Sequence, residues 1–103
     1  LFNRAARPER LKALAEALTG LPNAGAEDLA VRIDELNAYL GMPRSLDELG
    51  IPADGLDDMV AECLTRYPRP TNPVELNRER LKPLYEAMHA GDVKGFARTG
   101  AER

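Results

Sequence analysis

The chain has one cysteine, one histidine and no tryptophan. A single thiol cannot close an internal disulfide, which excludes the cross-linked scaffolds of small secreted domains. No apolar run approaches the roughly 18 residues that a membrane-crossing helix needs, and the opening LFNRAARPER is not a signal peptide, so neither a membrane nor export is expected and the expected setting is cytoplasmic. Positive charge is not in excess: 14 Lys and Arg stand against 17 Asp and Glu, for a net charge of −3. They are scattered, so no basic stripe could neutralise a run of phosphates, and nucleic acid is excluded as a partner. No G-x-G-x-x-G follows a strand-like stretch, which removes the dinucleotide fingerprint. No repeat of fixed period is present, which removes a solenoid.

What is present is helical periodicity. With 103 residues, 44% of them hydrophobic and 30% charged, the chain fits one compact domain near the size at which a single core becomes dependable. The first residue is Leu and the opening LFN is apolar, so the chain is expected to be a piece of a longer protein. In RPERLKALAEALTG, Leu11, Leu14, Ala15 and Leu18 recur at helical spacing, with Pro8 suited to the first turn and Gly20 to the stop. AEDLAVRIDELNAYLG repeats the pattern with Leu29, Ile33, Leu36 and Leu40, acids in its first turn and Gly41 at its end. RSLDELG is predicted as a single helical turn with Ser45 and Glu48 spaced as a capping box and Gly50 closing it. ADGLDDMVAECLTRY sets Leu56, Met59, Val60, Cys63 and Leu64 on one face, and the prolines that follow forbid continuation. NRERLKPLYEAMHAG gives the last helix, with Asn77 as N-cap and Leu81, Leu84, Tyr85 and Met88 inward. Pro83 lies inside it and removes the bond to the Glu79 carbonyl. A kink over 79–82 is expected, in preference to a helix that starts later.

The expected fold is therefore all-α, with five helical segments and no sheet. The helical domain is expected to span residues 1–92, and the Gly-rich stretch 93–103 is expected to be a flexible tail. The expected core comprises Leu14, Leu18, Ile33, Leu36, Leu40, Met59, Val60, Cys63, Leu64, Leu81 and Leu84.

Candidate chemistry is sparse. Cys63 lies among Leu and Val without a C-x-x-C partner and reads as a buried structural thiol. His89, near the end of the last helix, reads as a capping or solvated residue. Asp54, Asp57 and Asp58 lack the spacing of a calcium loop and suit a helix start. No residue reads as catalytic, cofactor-binding or metal-ligating. The most unusual stretch is YPRPTNPVEL, residues 67–76, with three prolines in six positions. Each X-Pro step disfavours helix, so it reads first as a stiff, extended connection.

The order of these pieces resembles the C-terminal end of the iron-containing (group III) alcohol dehydrogenases and the related maleylacetate reductases. The resemblance is carried by LFN with ERLKALAEALTGL, then LGMPRSLDELGIPADGLDDMVAECL, then TNPVELNRERLKPLYEAMHAGD, and it covers roughly residues 1–92. It implies a parent enzyme in which an N-terminal α/β domain binds NAD(P) and a C-terminal helical domain binds a divalent metal, iron or zinc, through an Asp and three His. Those ligands would lie upstream of Leu1, so the helical domain here would be incomplete, and no cofactor or metal is expected on this chain alone. The parent's chemistry would be hydride transfer between an alcohol and nicotinamide, with the cation favouring the alkoxide. The expected partner is the parent's own nucleotide-binding domain, and a homo-oligomer is left open.

The resemblance also gives the proline-rich stretch a place. In the family the equivalent stretch lies along the cleft near the nicotinamide, where a proline-fixed backbone holds polar groups without the entropy of a mobile loop. Tyr67, Arg69, Thr71 and Asn72 are then cleft-lining candidates that contact substrate or support those that do. Relatives often carry NPRP here whereas this chain has PRPTNPVEL, which shifts the register of Arg69. Two other classes fit the residues: a free-standing helical module whose apolar seam binds a partner chain, and a small helical regulator. The first prediction is that this chain alone binds neither cofactor nor catalytic metal usefully. Calorimetric titration is expected to show no saturable binding, and sub-micromolar NAD or stoichiometric Zn²⁺ binding would overturn it.

Overall fold

The computed structural model describes residues 1–100, which form five α-helices: α1 Pro8–Thr19, α2 Ala26–Tyr39, α3 Leu56–Arg66, α4 Arg78–Ala90 and α5 Val93–Gly100. No strand occurs among the described residues. Each helix end has a local cause. Pro8 opens α1, and Gly20, at φ +72°, closes it by donating to the Glu16 carbonyl. The Asp28 carboxylate accepts from the Gly25 N–H at 2.8 Å ahead of α2. At the far end of α2, Gly41 adopts φ +71°. The Met42 N–H then reaches back to the Asn37 carbonyl at 2.9 Å, the paired closure that a left-handed glycine permits. A 3₁₀ turn over Ala53–Gly55 leads into α3. Asn77 caps α4, its Oδ1 accepting from the Arg80 N–H at 2.9 Å. Because α4 begins directly after Asn77 and runs through Pro83, the arrangement with a later helix start does not occur.

The helices pair as two hairpins, α1 on α2 and α3 on α4, and α5 packs against both α2 and α4. The loop 43–51 joins the hairpins by seating itself on the end of α4. There the Leu46 and Asp47 N–H groups donate to the carbonyls of Met88 and His89 at 3.0 and 3.3 Å. A helix terminus leaves its last carbonyls without internal partners, and this loop supplies two of the missing donors. The Ser45–Gly50 stretch is accordingly a hydrogen-bonded turn rather than a helical segment. The Glu48 N–H donates to the Ser45 hydroxyl, and the Glu48 carboxylate accepts from the Arg44 N–H. The fifth helix instead lies at Val93–Gly100, where a tail was expected. Asp92 starts it, its carboxylate accepting from the Gly95 N–H at 2.8 Å. Residues 101–103 of the expected tail lie outside the described residues.

The core is small. Ala15, Ala24, Leu56, Val60 and Leu81 are the buried apolar residues, so the expectation holds for Val60 and Leu81. Met59, Cys63, Leu64 and Leu84 are half-buried. Five others expected in the core are exposed: Leu14 (54%), Leu18, Ile33, Leu36 and Leu40 (61%). Ile33 borders the groove between the hairpins, whereas Leu14, Leu18, Leu36 and Leu40, aligned along their helices as their spacing requires, stand outside it. Total accessible surface is 7212 Å², about a quarter more than the roughly 5700 Å² of a compact chain of this mass.

Gly91 provides a test of the loop-to-helix seat. Gly20 and Gly91 have matching φ values, +72° and +71°, but a Cβ at Gly20 would meet nothing within 4 Å, whereas one at Gly91 would lie 3.1 Å from the Arg44 carbonyl oxygen and 3.2 Å from the Ser45 Cβ. Gly20→Ala is expected to cost about 1 kcal/mol for the left-handed backbone alone, and Gly91→Ala about 1–3 kcal/mol more for displacing the loop. Equal losses in denaturant unfolding would show that the loop yields freely.

Candidate functional site

Two concavities among the described residues bear on function. The larger, about 550 Å³, lies between the hairpins and is lined by Leu11 of α1, Leu29 and Ile33 of α2, Leu46 and Leu49 of the loop, Leu84 and Met88 of α4 and Phe96 of α5. Its polar margin is the pair Arg44–Asp34, where Nε donates to Oδ1 at 3.1 Å and Nη2 to Oδ2 at 2.6 Å. This two-pronged contact directs the guanidinium to a partner within the chain, so Arg44 is not a free cation for a ligand.

The smaller, about 290 Å³, lies under the proline-rich stretch and is lined by Met59, Glu62, Cys63, Tyr67, Arg69 and Tyr85. It gathers Tyr67 and Arg69, two of the four candidates read from the sequence. Tyr67 sits at the end of α3, its N–H donating to the Cys63 carbonyl. Beyond it Pro68 and Pro70 carry the chain away from the helix, and the Asn72 N–H closes a turn onto the Arg69 carbonyl at 3.0 Å. Pro70 occupies the second position of that turn, where its fixed φ is already correct. The Arg69 guanidinium donates to the neighbouring Pro68 carbonyl at 3.3 Å.

Thr71 and Asn72 are placed elsewhere. Thr71 is exposed and does not line the depression. Asn72 turns toward the opening segment of the chain and exchanges two hydrogen bonds with Asn3, one in each direction at 3.1 and 2.9 Å. Its Nδ2 also donates to the Val74 carbonyl at 2.6 Å. Nothing in the sequence marked Asn3 as a partner, because the two residues are 69 positions apart and no periodicity links them.

The remaining polar candidates have partners of their own. His89 Nε2 lies 2.9 Å from the Ile51 carbonyl and 3.8 Å from an Asp47 carboxylate oxygen, so it serves the loop that covers the end of α4. Asp57 pairs with Lys82 and Arg78, and the Lys82 hydrogen bond holds its carboxyl below the usual range. Cys63 is half-buried beside Tyr85, whose phenol is pushed up by burial and then by the contact with Cys63. Among the described residues, no three His, Cys, Asp or Glu side chains converge as metal ligands would.

The match to known proteins covers nearly all of this architecture. The sequence model of the family described as Fe-containing alcohol dehydrogenase family, C-terminal, matches residues 1–89. The chain belongs to this family. The matched span includes both hairpins, the loop seated on α4 and the proline-rich stretch, and it ends within the last turn of α4. No curated protein and no solved structure matches. In the C-terminal part of an Fe-containing alcohol dehydrogenase, then, the connection between the last two matched helices is a proline strap that carries Tyr67 and Arg69 on one side and is tied at Asn72 on the other.

The Tyr85 environment leads to a pH prediction. A phenol whose folded-state pKa is raised binds its proton more tightly in the folded chain, so its contribution to stability is complete below the unfolded value near 10 and is lost as pH rises through the folded value. An absorbance titration is expected to show one late phenolate component that Tyr85→Phe abolishes and Cys63→Ala moves part of the way back. A titration unaltered by Tyr85→Phe would refute this assignment.

Proposed function

We propose that this chain is the C-terminal helical part of a metal-dependent NAD(P) alcohol dehydrogenase and forms one wall of its cleft. The observation that carries this reading is the family match over residues 1–89. In the parent enzyme hydride would pass between an alcohol and a nicotinamide cofactor, and an iron or zinc ion would supply Lewis-acid chemistry there. The residues described here do not fit that ion: the single histidine is engaged by Ile51, and no set of three ligating side chains converges. On this reading the metal ligands and the dinucleotide turn belong to other parts of the parent, and this chain's share is positional.

Two features support a wall rather than a catalyst. The first is the strap, which presents Tyr67, Arg69 and Thr71 at the surface on a backbone that three prolines have stiffened. Tyr67 and Arg69 offer a phenol and a guanidinium, suited to a substrate hydroxyl or a cofactor carboxamide or phosphate. The second is the uncovered apolar face of the α1–α2 hairpin, which suits packing against the remainder of the parent, its nucleotide-binding domain included. Burying a Leu fully stabilises by about 1.5–3 kcal/mol, so Leu14, Leu18, Leu36 and Leu40 together would hold such a contact firmly. The same face would serve a free-standing module that binds a partner chain. No helix is long and apolar enough to cross a membrane among the described residues, and a cytoplasmic enzyme is the setting that fits the proposal.

The test is the full-length protein purified with Fe²⁺ or Zn²⁺. It is expected to reduce NAD⁺ or NADP⁺ with a primary or secondary alcohol, followed by nicotinamide absorbance, and to lose that activity on chelation. In that enzyme Arg69→Ala is expected to raise KM for alcohol or cofactor roughly tenfold, the usual loss for one charged hydrogen bond. A full-length protein without alcohol-dependent nicotinamide reduction would overturn the reading in favour of the interaction module.

A further inference from the structure

The strap 67–76 cannot hold itself in place. Pro68, Pro70 and Pro73 have no N–H, so three of its first seven residues cannot donate a backbone hydrogen bond. Among the described residues it joins no ladder. At its far end the Arg80 guanidinium donates to the Glu75 carbonyl at 3.1 Å, and what fixes its middle is Asn72. Its backbone N–H closes the turn onto Arg69 at 3.0 Å. One Nδ2 hydrogen reaches the Val74 carbonyl at 2.6 Å and the other the Asn3 Oδ1 at 2.9 Å, while its Oδ1 accepts from Asn3 Nδ2 at 3.1 Å. Both amides are half-buried, so their bonds are partly shielded from competition by water.

We propose that the Asn3–Asn72 amide pair is a latch, and that Asn3 is a positioning residue for the strap. It sets where Tyr67 and Arg69 stand without touching what they touch. The chemistry selects this pair closely. Two primary amides face to face satisfy a donor and an acceptor on each side. An Asp at either position would set carboxylate oxygen against amide oxygen, and a Gln would overreach by one methylene. Asn3 lies 69 positions from Asn72 in sequence, so the latch couples the segment before α1 to the turn that carries Arg69. The consequence for Tyr67 and Arg69 rests on the proposed function above; the latch itself does not.

The experiment uses the full-length protein and reads two quantities in Asn3→Ala, Asn72→Ala, the double variant and Asn3→Asp. Amide exchange reads the latch. The Asn72 N–H is expected to exchange roughly five- to tenfold faster in Asn3→Ala, the loss expected from partner bonds of this kind. The double variant should be no worse than Asn72→Ala, since both remove the same contact. Asn3→Asp should be as fast as Asn3→Ala near neutral pH and regain protection at a pH where the carboxyl is protonated, because a carboxylic acid restores the missing donor. Kinetics read the positioning. KM is expected to rise several-fold in Asn3→Ala with kcat changed less than twofold, and the protonatable variant should follow its exchange behaviour. Unchanged exchange of Asn72, or additive effects in the double variant, overturns the latch. Faster exchange with unchanged KM overturns the positioning role. A wild-type protein that lacks alcohol-dependent nicotinamide reduction overturns the proposed function and with it the positioning role, and the exchange comparison still decides the latch.

Discussion

The carbonyls at the end of α4 are the constraint on which the rest of the arrangement depends. A helix must find donors for its last turn, and here they come from two directions. Gly91 and Asp92 fold back onto the Ala87 carbonyl, while Leu46 and Asp47 arrive from a loop more than forty positions earlier to take Met88 and His89. That loop follows directly on α2, so satisfying the helix end also fixes the α1–α2 hairpin against the α3–α4 hairpin. The open groove is the space left between them. Gly91 allows the approach because the Arg44 carbonyl lies where a side chain would begin, and the same glycine turns the chain toward α5. His89 joins the seat through its ring, with Ile51 as partner. Its place in the sequence, at a helix end, was sufficient to suggest this kind of role.

Much of the helical frame was legible because its causes are local. Pro8, Gly20, Gly41 and Asn77 act on the residues beside them, and each stands where its chemistry assigned it. The core was less legible. Helical spacing tells which side chains share a face but not whether another element covers that face, which is why Leu14, Leu18, Ile33, Leu36 and Leu40 align as expected and yet stand exposed. The interior of the α1–α2 hairpin is instead made by Ala15 and Ala24, small residues that let two backbones approach and carry little weight in a hydrophobic pattern. Residues 93–100 were missed because their few apolar positions, Val93 and Phe96, acquire meaning only once α2 and α4 are beside them.

The strap shows the same division. Three prolines announce a stiff connection, and Tyr67 and Arg69 do share one depression. Asn72, grouped with them by position, faces the other way and is consumed by structure. Its hydrogen-bond partner Asn3 is 69 positions away, beyond the reach of any local pattern. The depression also gathers Cys63 and Tyr85, which face each other because each lies on the inward side of its own helix. Their contact is a product of hairpin packing, and burial there raises the phenol first, with the Cys63 contact adding to it.

The contacts fall into two classes of chain separation. Within each hairpin the packed helices are neighbours in sequence, so their association closes short loops and can proceed from local structure. Other contacts cross long spans: Asn3 bonds Asn72, 69 residues away, and the Arg4 guanidinium donates to the Phe96 carbonyl, 92 residues away, while lying over its ring. Closing such spans costs on the order of 1 kcal/mol more than closing a hairpin, by loop entropy alone. The hairpins can therefore form from local structure, and Asn3 and Arg4 tie them together across long spans. The strap's place thus depends on a contact 69 positions away, whereas the helices on either side of it pack on each other locally.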